Sequence, residues 1–481
     1  MKVKAPLLGI KIAGGLEGTM TAWAGVSPLI MLGRKCGLME TANKVLPQKK
    51  SDKGLQSGQM MESFVLLSAM GGDRIDDMER LRQDRGLAAM LGYTPPAAPT
   101  ARQWLDKFHD ETLMSGRPLQ GSFLPPESKY QAGLEELKRK VIWAYVNAVL
   151  PSTWLIPESQ ARSGMEGKPI SWVTMDIDAH LVETHKEGAK VCYDGYPAFQ
   201  PMIITWAETG LILVDEFREG NVNASIGIQR LSDKAYGILP PGSWHIRIRG
   251  DSAAYEQAIL DHWDGNHWEF AVSADMTPQL KAVIEALAPE AWQPWKREKK
   301  IETSVIREWA EVPYVPSKKT EKKDAQPYRY VAVRIRPRQK ELFVDGNGVR
   351  YFAMVSNRWD LAGQELLEWH RGKAGTVEQS HEILKNELGA GVYPSSKHGA
   401  NAAWLRLQVI THNLLQLLKK VGLPEEYSTA KPKRLRFAIF TQFGQVVHHA
   451  GQSLLRIATE AWNTLIGPAR QRIGAMVLDT G

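Results

Sequence analysis

Cysteine is nearly absent from this chain. Cys36 and Cys192 are the two cysteines in 481 residues. That excludes a disulfide scaffold and leaves no CxxC or Cys/His spacing for structural zinc. A reducing compartment fits. Long apolar runs are missing as well: none reaches the roughly 18 residues that a membrane-spanning helix needs, so no membrane association is expected. The opening MKVKAPLLGIKIAGGLEGTM is short and interrupted by Lys11. It does not read as a secretory leader, and a cytoplasmic, nucleoid-associated location is expected. Internal repeats and long low-complexity segments are lacking too.

What remains is an ordinary globular composition, 43% hydrophobic and 23% charged, with a net charge of +7. The length allows two to four domains and at least one sizeable core. The charge is unevenly distributed. Residues 291–350 hold 15 Lys/Arg against 8 Asp/Glu, so this segment carries the whole excess. A second basic stretch, KPKRLRF, lies at 431–437. Concentrated basic segments suit a phosphate backbone, although a solvated face that keeps the protein soluble would look the same.

Residues 1–150 read as helical. The proline-rich TPPAAPT at 94–100 precedes a short helix carrying Arg102, Gln103 and Lys107, with Thr100 as its expected cap. This is compatible with a helix-turn-helix reader of DNA or with any small bundle. Tyr130–Val149 is a longer amphipathic helix. From about residue 165 to 277 the pattern is α/β. It comprises strands at Trp172–Ile177, 201–207, 211–217, Trp244–Gly250 and His267–Ser273, and helices at Asn223–Ile238 and Ser252–Trp263. Residues 278–350 read as a basic, β-rich insertion. They include a charged linker at 317–326, alternating Val331, Val333 and Ile335 against Arg334 and Arg336, and a turn at Asp345–Gly348. A second core part at 351–421 has a strand at Phe352–Ser356, a helical pattern over Leu361–Leu388 and a long apolar helix at Asn401–Val421. That helix fits a core position or an interface between copies. The basic C-terminal region, 422–481, ends in a helix near Gly451–Ile466.

The chemistry concentrates in SWVTMDIDAHLVET, residues 171–184. Alternation along the strand puts Val173, Met175 and Ile177 on one face and Thr174, Asp176 and Asp178 on the other. Two carboxylates where an apolar strand ends are costly unless a cation sits there. Asp251 ends the strand WHIRIRG, and Glu378 lies in HRGKAGTVEQSHEILKNELGAG. In one continuous helix Arg371, Glu378 and Lys385 would form a single stripe. Two strand-end aspartates and a later helical glutamate can converge on a pair of divalent ions, the arrangement suited to in-line phosphoryl displacement.

MDIDAHLVET, IRIRGDSAAY and WHRGKAGTVEQSHEILKNELGAG together resemble bacterial insertion-sequence transposases of the DDE type. HGANAAWLRLQVITHNLLQLLKK and GGLEGTMTAWAGVSPLI resemble the same family. The resemblance implies a ribonuclease-H-like mixed α/β sheet with helices, interrupted by a β-rich insertion and preceded by a helical N-terminal domain. It implies Asp178, Asp251 and Glu378 as catalytic metal ligands, with Asp176 the alternative first aspartate. Mg²⁺, or Mn²⁺ in its place, would serve as cofactor. His180 stands where the family has a threonine-like residue. Ala374 and Arg371 occupy the family's arginine and tyrosine positions. Double-stranded DNA would be the partner, as terminal inverted repeats and target, held by a homodimer. Arg371, Lys373, Lys385, Arg334, Arg336, Arg102 and Lys107 are the expected DNA contacts. Two rival readings remain: a haloacid-dehalogenase-like phosphatase, with Asp176 as nucleophile and Asp178 as acid, and a transposase-derived DNA binder without activity.

Overall fold

The computed structural model describes residues 18–49, 53–118, 120–150, 171–186, 188–241, 244–295, 305–316, 327–337, 348–449 and 452–477. The linker expected at 317–326, most of the turn expected at 345–348, and residues 14–17 of the GGLEGT stretch lie outside them.

A nine-stranded sheet forms the centre. Its main strands are β1 (Ser171–Ala179), β2 (Met202–Trp206), β3 (Leu211–Glu216), β4 (Trp244–Gly250), β5 (Glu269–Ala274), β6 (Val305–Val312), β7 (Arg329–Pro337) and β8 (Arg350–Ser356). Across the sheet the order is Gln293–Pro294, β6, β7, β8, β5, β4, β1, β2, β3. β4 runs parallel to both β1 and β5, while β2 and β3 form an antiparallel hairpin beside β1. Gly210 turns that hairpin with φ of +71°, a conformation that glycine adopts without steric cost. The five strands from β3 to β5 form the mixed parallel and antiparallel core of the sheet. β1 lies inside it with both faces covered, so Val173, Met175, Thr174 and Asp176 are all buried.

The basic segment before residue 350 does not stand apart. β6, β7 and β8 pair antiparallel and prolong the central sheet from the edge of β5. The alternation along β7 buries Val331 and Val333 and turns Arg334 and Arg336 outward, where Glu308 on β6 binds both.

Ten helices complete the parts used below: α1 (Ser27–Lys35), α2 (Leu38–Val45), α3 (Ser57–Ala69), α4 (Ala98–Asp106), α5 (Lys129–Val149), α6 (Ile228–Ile238), α7 (Gln257–Gly265), α8 (Gly363–Arg371), α9 (Val377–Glu387) and α10 (His398–Val421). α10 is the axis. It is buried on all sides, which makes it a core helix and removes it as a surface for a second copy. Asn413 on α10 pairs with both the backbone N–H and the carbonyl of Ile212, so the helix closes the edge strand β3 as another strand would. The N-terminal helices share this core: Phe64 stacks on Trp104 and meets Trp404 of α10 edge-on. Buried charges tie them together. Asp215 of β3 accepts from Lys138 of α5 at 2.6 Å and from Arg406 of α10 at 2.8 Å.

Four boundaries differ from the sequence pattern. α4 starts at Ala98, with Pro99 in its first turn, rather than at a Thr100 cap. α6 begins at Ile228, behind Gly227 at φ +78°, not at Asn223. Ser252–Ala254 is a separate 3₁₀ turn before α7. The final helix expected at 451–466 is half replaced by a hairpin, Gly444–His449 with Gln452–Ile457, to which Met20–Thr21 adds a third strand. A strand from the far end of the chain covers this hairpin's edge, a contact that local periodicity does not encode.

The core also predicts acid sensitivity. His412 on α10 donates to the Gly210 carbonyl at 2.9 Å, and burial pushes its imidazole down from 6.5 to about 4. His398 is held down to about 4 by burial and by the positive neighbours His109 and Arg117. Below pH 6.5 the unfolded chain takes up protons that the folded one refuses until about pH 4. Stability should therefore fall as pH drops through that window, by on the order of a few kcal/mol. Urea midpoints measured across it give the check; replacing His412 with Gln should flatten the slope.

Candidate active site

The two aspartates of β1 sit side by side on one face but have different surroundings. Parallel pairing sets Asp176 directly opposite Arg249 of β4. The Arg249 guanidinium donates to both Asp176 oxygens, at 2.6 and 2.7 Å, and also to the Trp369 carbonyl at 2.6 Å. Thr376 donates its hydroxyl to Asp176 as well. Asp176 is 0% exposed. Its carboxylate is fully engaged in a buried, charge-assisted cluster, so it is neither an open ligand nor an accessible nucleophile. An enclosed carboxylate bound on both oxygens is poorly placed to serve as the alternative first aspartate. The same enclosure tells against the phosphatase reading, which needs Asp176 to attack a substrate.

Asp178, two residues on, lies where β1 leaves the sheet, and its side chain keeps 18% exposure. Lys373 donates to Asp178 Oδ1 at 3.1 Å. His381 of α9 meets the Asp178 backbone carbonyl at 3.3 Å, and burial lowers its imidazole to about 3, so it stays neutral. Asp251 follows β4, the strand beside β1. Its carboxylate accepts from the Ala253 N–H at 3.1 Å. Burial raises the Asp251 pKa; the Lys373 ammonium opposes this, and the charge of Asp178 adds to it. The carboxylates of Asp178 and Asp251 are thus electrostatic neighbours, and the Lys373 ammonium that pairs with Asp178 acts on both. His370 of α8 donates to the Gly250 carbonyl at 3.0 Å and fixes the end of β4.

Glu378 is exposed in the first turn of α9. Three and seven residues on, along the same side of the helix, are His381 and Lys385. His381 packs on Asp178, and Lys385 reaches His180 Nε2 at 3.2 Å. α9 therefore lies across the end of β1 with the Glu378 side toward it. Arg371 does not share the stripe expected for it. The helical pattern breaks at Gly372–Gly375, a 3₁₀ turn, and Arg371 ends α8 with its guanidinium over the Trp295 ring. Glycine is needed at 372, where a Cβ would come within 2.3 Å of Arg249 Nη1.

An open cleft of about 770 Å³ runs from Ala179 past Tyr193, Asp251 and Tyr255 to Asp275. The candidate DNA contacts are spread more widely. Lys373 is occupied by Asp178, Arg334 and Arg336 share Glu308, and Arg102 pairs with Asp76 at 3.3 Å. Lys107 and Lys385 are exposed. Sequence reasoning did not find the Arg249–Asp176–Thr376 cluster. The pairing of β1 with β4 creates it, and no local pattern signals that register.

Among the described residues, no three His, Cys, Asp or Glu side chains converge closely enough to cage a metal ion. Magnesium does not need such a cage. It is usually held by one or two carboxylates, several waters and the oxygens of a bound phosphate. Asp178 and Asp251 are hard oxygen donors, and Asp178 already holds a cation, the Lys373 ammonium.

The sheet thus carries two acids at adjacent strand ends, Asp178 and Asp251, with Glu378 exposed on the helix packed against the end of β1. Residues 159–475 match the family model described as transposase DDE domain group 1. The chain belongs to that family and is a DNA transposase, a class dependent on divalent metal. Among solved structures it is distantly similar to the piggyBac transposase synaptic complex with hairpin DNA, seen by cryo-EM. The identity is 8% and the TM-score 0.44, over 86% of this chain and 80% of that one. No curated protein matches the sequence. No described helix is long and apolar enough to cross a membrane.

Proposed function

We propose that Asp178, Asp251 and Glu378 are the acids at which this transposase cuts its element's terminal inverted repeats and joins them to target DNA. Mg²⁺ is the metal they bind, with Mn²⁺ able to replace it. The observation that carries the reading is the pair of acids at neighbouring strand ends, Asp178 on β1 and Asp251 after β4, whose charges act on each other and on Lys373. When bound, Mg²⁺ supplies an activated water or 3′-hydroxyl and charge for the leaving oxygen.

The chain's own groups do the positioning. Asp178 and Asp251 offer oxygens from adjacent strands, and Glu378 adds a third carboxylate from α9. Arg249 and Thr376 hold Asp176, and through it the strand beneath Asp178. With a metal held by Asp178, Lys373 would be free to hold a phosphate of the scissile strand. Lys385 and Arg371 hold neighbouring phosphates. Arg334, Arg336, Arg102 and Lys107 meet DNA further out, positioning the duplex without reading it. A homodimer brings the two ends together.

Labelled duplex carrying the element's ends, incubated with the protein in Mg²⁺ and in EDTA, tests this. Strand cutting in Mg²⁺ alone is the expected result; binding without cutting in any divalent metal would overturn it. Salt titration gives a second check. Lys385→Ala should reduce the slope of log K against log salt by about 1, read by fluorescence anisotropy.

A further inference from the structure

The basic KPKRLRF segment is built onto the glutamate helix. Lys431 pairs with Glu382 of α9 at 2.7 Å. The Lys433 N–H donates to the Glu387 carboxylate at 2.6 Å, and Arg436 donates to the Glu387 carbonyl at 3.0 Å. Leu435, Ile439 and Phe440 anchor the segment in the core. The residues between these anchors face out: Lys433 and Arg434 are exposed, and Phe437 is 78% exposed. Phe443, at 61%, follows six residues later. Among the described residues, neither the Lys433 nor the Arg434 side chain has an ion-pair partner.

An isolated exposed aromatic is unremarkable on a protein surface. Here a phenylalanine stands on an anchored helical segment, three and four residues after two cations without ion-pair partners among the described residues. Cations for phosphates beside an aromatic face for a base are the combination by which proteins hold single-stranded nucleic acid. The placement adds a direction. Glu382, which Lys431 binds, is one turn from Glu378 on the same side of the helix, and Glu387 lies at its far end, roughly 14 Å along the axis from Glu378 and half a turn round.

We infer that Lys433, Arg434 and Phe437 form a platform for an unpaired stretch of DNA strand next to the cleaved end. The two basic side chains hold its phosphates, and Phe437 stacks on one base. The location rests on the reading of Glu378 as an acid of the cutting site; the binding does not, because it needs no metal.

The test uses the full chain in EDTA, with a short duplex and the same duplex carrying a single-stranded tail with one 2-aminopurine. Phe437→Ala should weaken binding of the tailed probe roughly tenfold or more, the loss that one base–aromatic stack spans. It should also abolish the 2-aminopurine quench and leave the plain duplex unaffected, and Phe437→Tyr should restore both signals. Lys433→Ala with Arg434→Ala should weaken both probes and lower the salt slope by about 2. The platform is refuted if Phe437→Ala binds both probes as the parent does. It is equally refuted if the sole change is a shift of sedimentation from dimer to monomer, which would make this face a contact between two copies. Failure of DNA cutting in Mg²⁺ with these signals intact would count against the acid assignment alone.

Discussion

Replacing Asp251 with Asn should leave binding to the terminal inverted repeats within about twofold, yet reduce Mg²⁺-dependent cutting by at least roughly a thousandfold. The reason is local. Asp251 lies after β4, where burial and the charge of Asp178 raise its carboxyl and the Lys373 ammonium lowers it. Asparagine keeps an oxygen that can accept from the Ala253 N–H, so the fold loses little. What it lacks is the negative charge that a divalent ion requires. Metal contributes several kcal/mol of transition-state stabilisation in such displacements, and 1.36 kcal/mol corresponds to a factor of ten. Gel assays for binding and for cut strands, run on one preparation, separate the two effects. Cutting at the parental rate by the Asn variant would show that the metal is held elsewhere. Asp178→Asn should behave in the same way, and Mn²⁺ binding followed by its paramagnetic signal should weaken in both variants.

The second large effect is one of stability. Arg249→Leu should destabilise the protein by about 3–5 kcal/mol, the cost of leaving a buried carboxylate without its partner. Asp176 is wholly enclosed, and both of its oxygens accept from Arg249. The same substitution frees the Trp369 carbonyl, so α8 also loses its tie to the sheet. Denaturant melts followed by tryptophan fluorescence read this directly. The contrast with Asp178→Asn is the informative part. Asp178 is partly exposed and pairs with a single lysine, so its loss should shift stability by no more than about 1 kcal/mol. Two aspartates two residues apart should therefore separate cleanly. Near-equal melts for Arg249→Leu and Asp178→Asn would mean that Asp176 is not the structural member of the pair.

The neighbouring strands explain why the sequence left that pair unresolved. MDIDAH puts both carboxylates on one face of one strand, and alternation cannot rank them. What separates them lies 73 residues away in sequence, in Arg249. Strand β4 was legible to the residue as Trp244–Gly250, and so was the basic alternation of β7. The stripe of Arg371, Glu378 and Lys385 was not. Helical spacing is a sound guide only while the helix continues, and here it gives way to a 3₁₀ turn at Gly372–Gly375, with Thr376 out of helical geometry before α9. The C-terminal hairpin escaped for a similar reason: its third strand comes from Met20–Thr21.

Local chemistry, written in the chain, determined the class of the protein. The order of two strand-end aspartates and a helical glutamate, the β-rich basic stretch between them, and the near absence of cysteine all follow from residue type and spacing. Tertiary structure decided which carboxylates are open and which are enclosed, where Lys373 rests, that the strands at 305–312 and 329–337 prolong the sheet, and that the basic segment at 431–437 docks on the glutamate helix. The physical reason is range. Propensity and periodicity act over a few residues, whereas burial, ion pairing and strand register act between residues that only the fold makes neighbours.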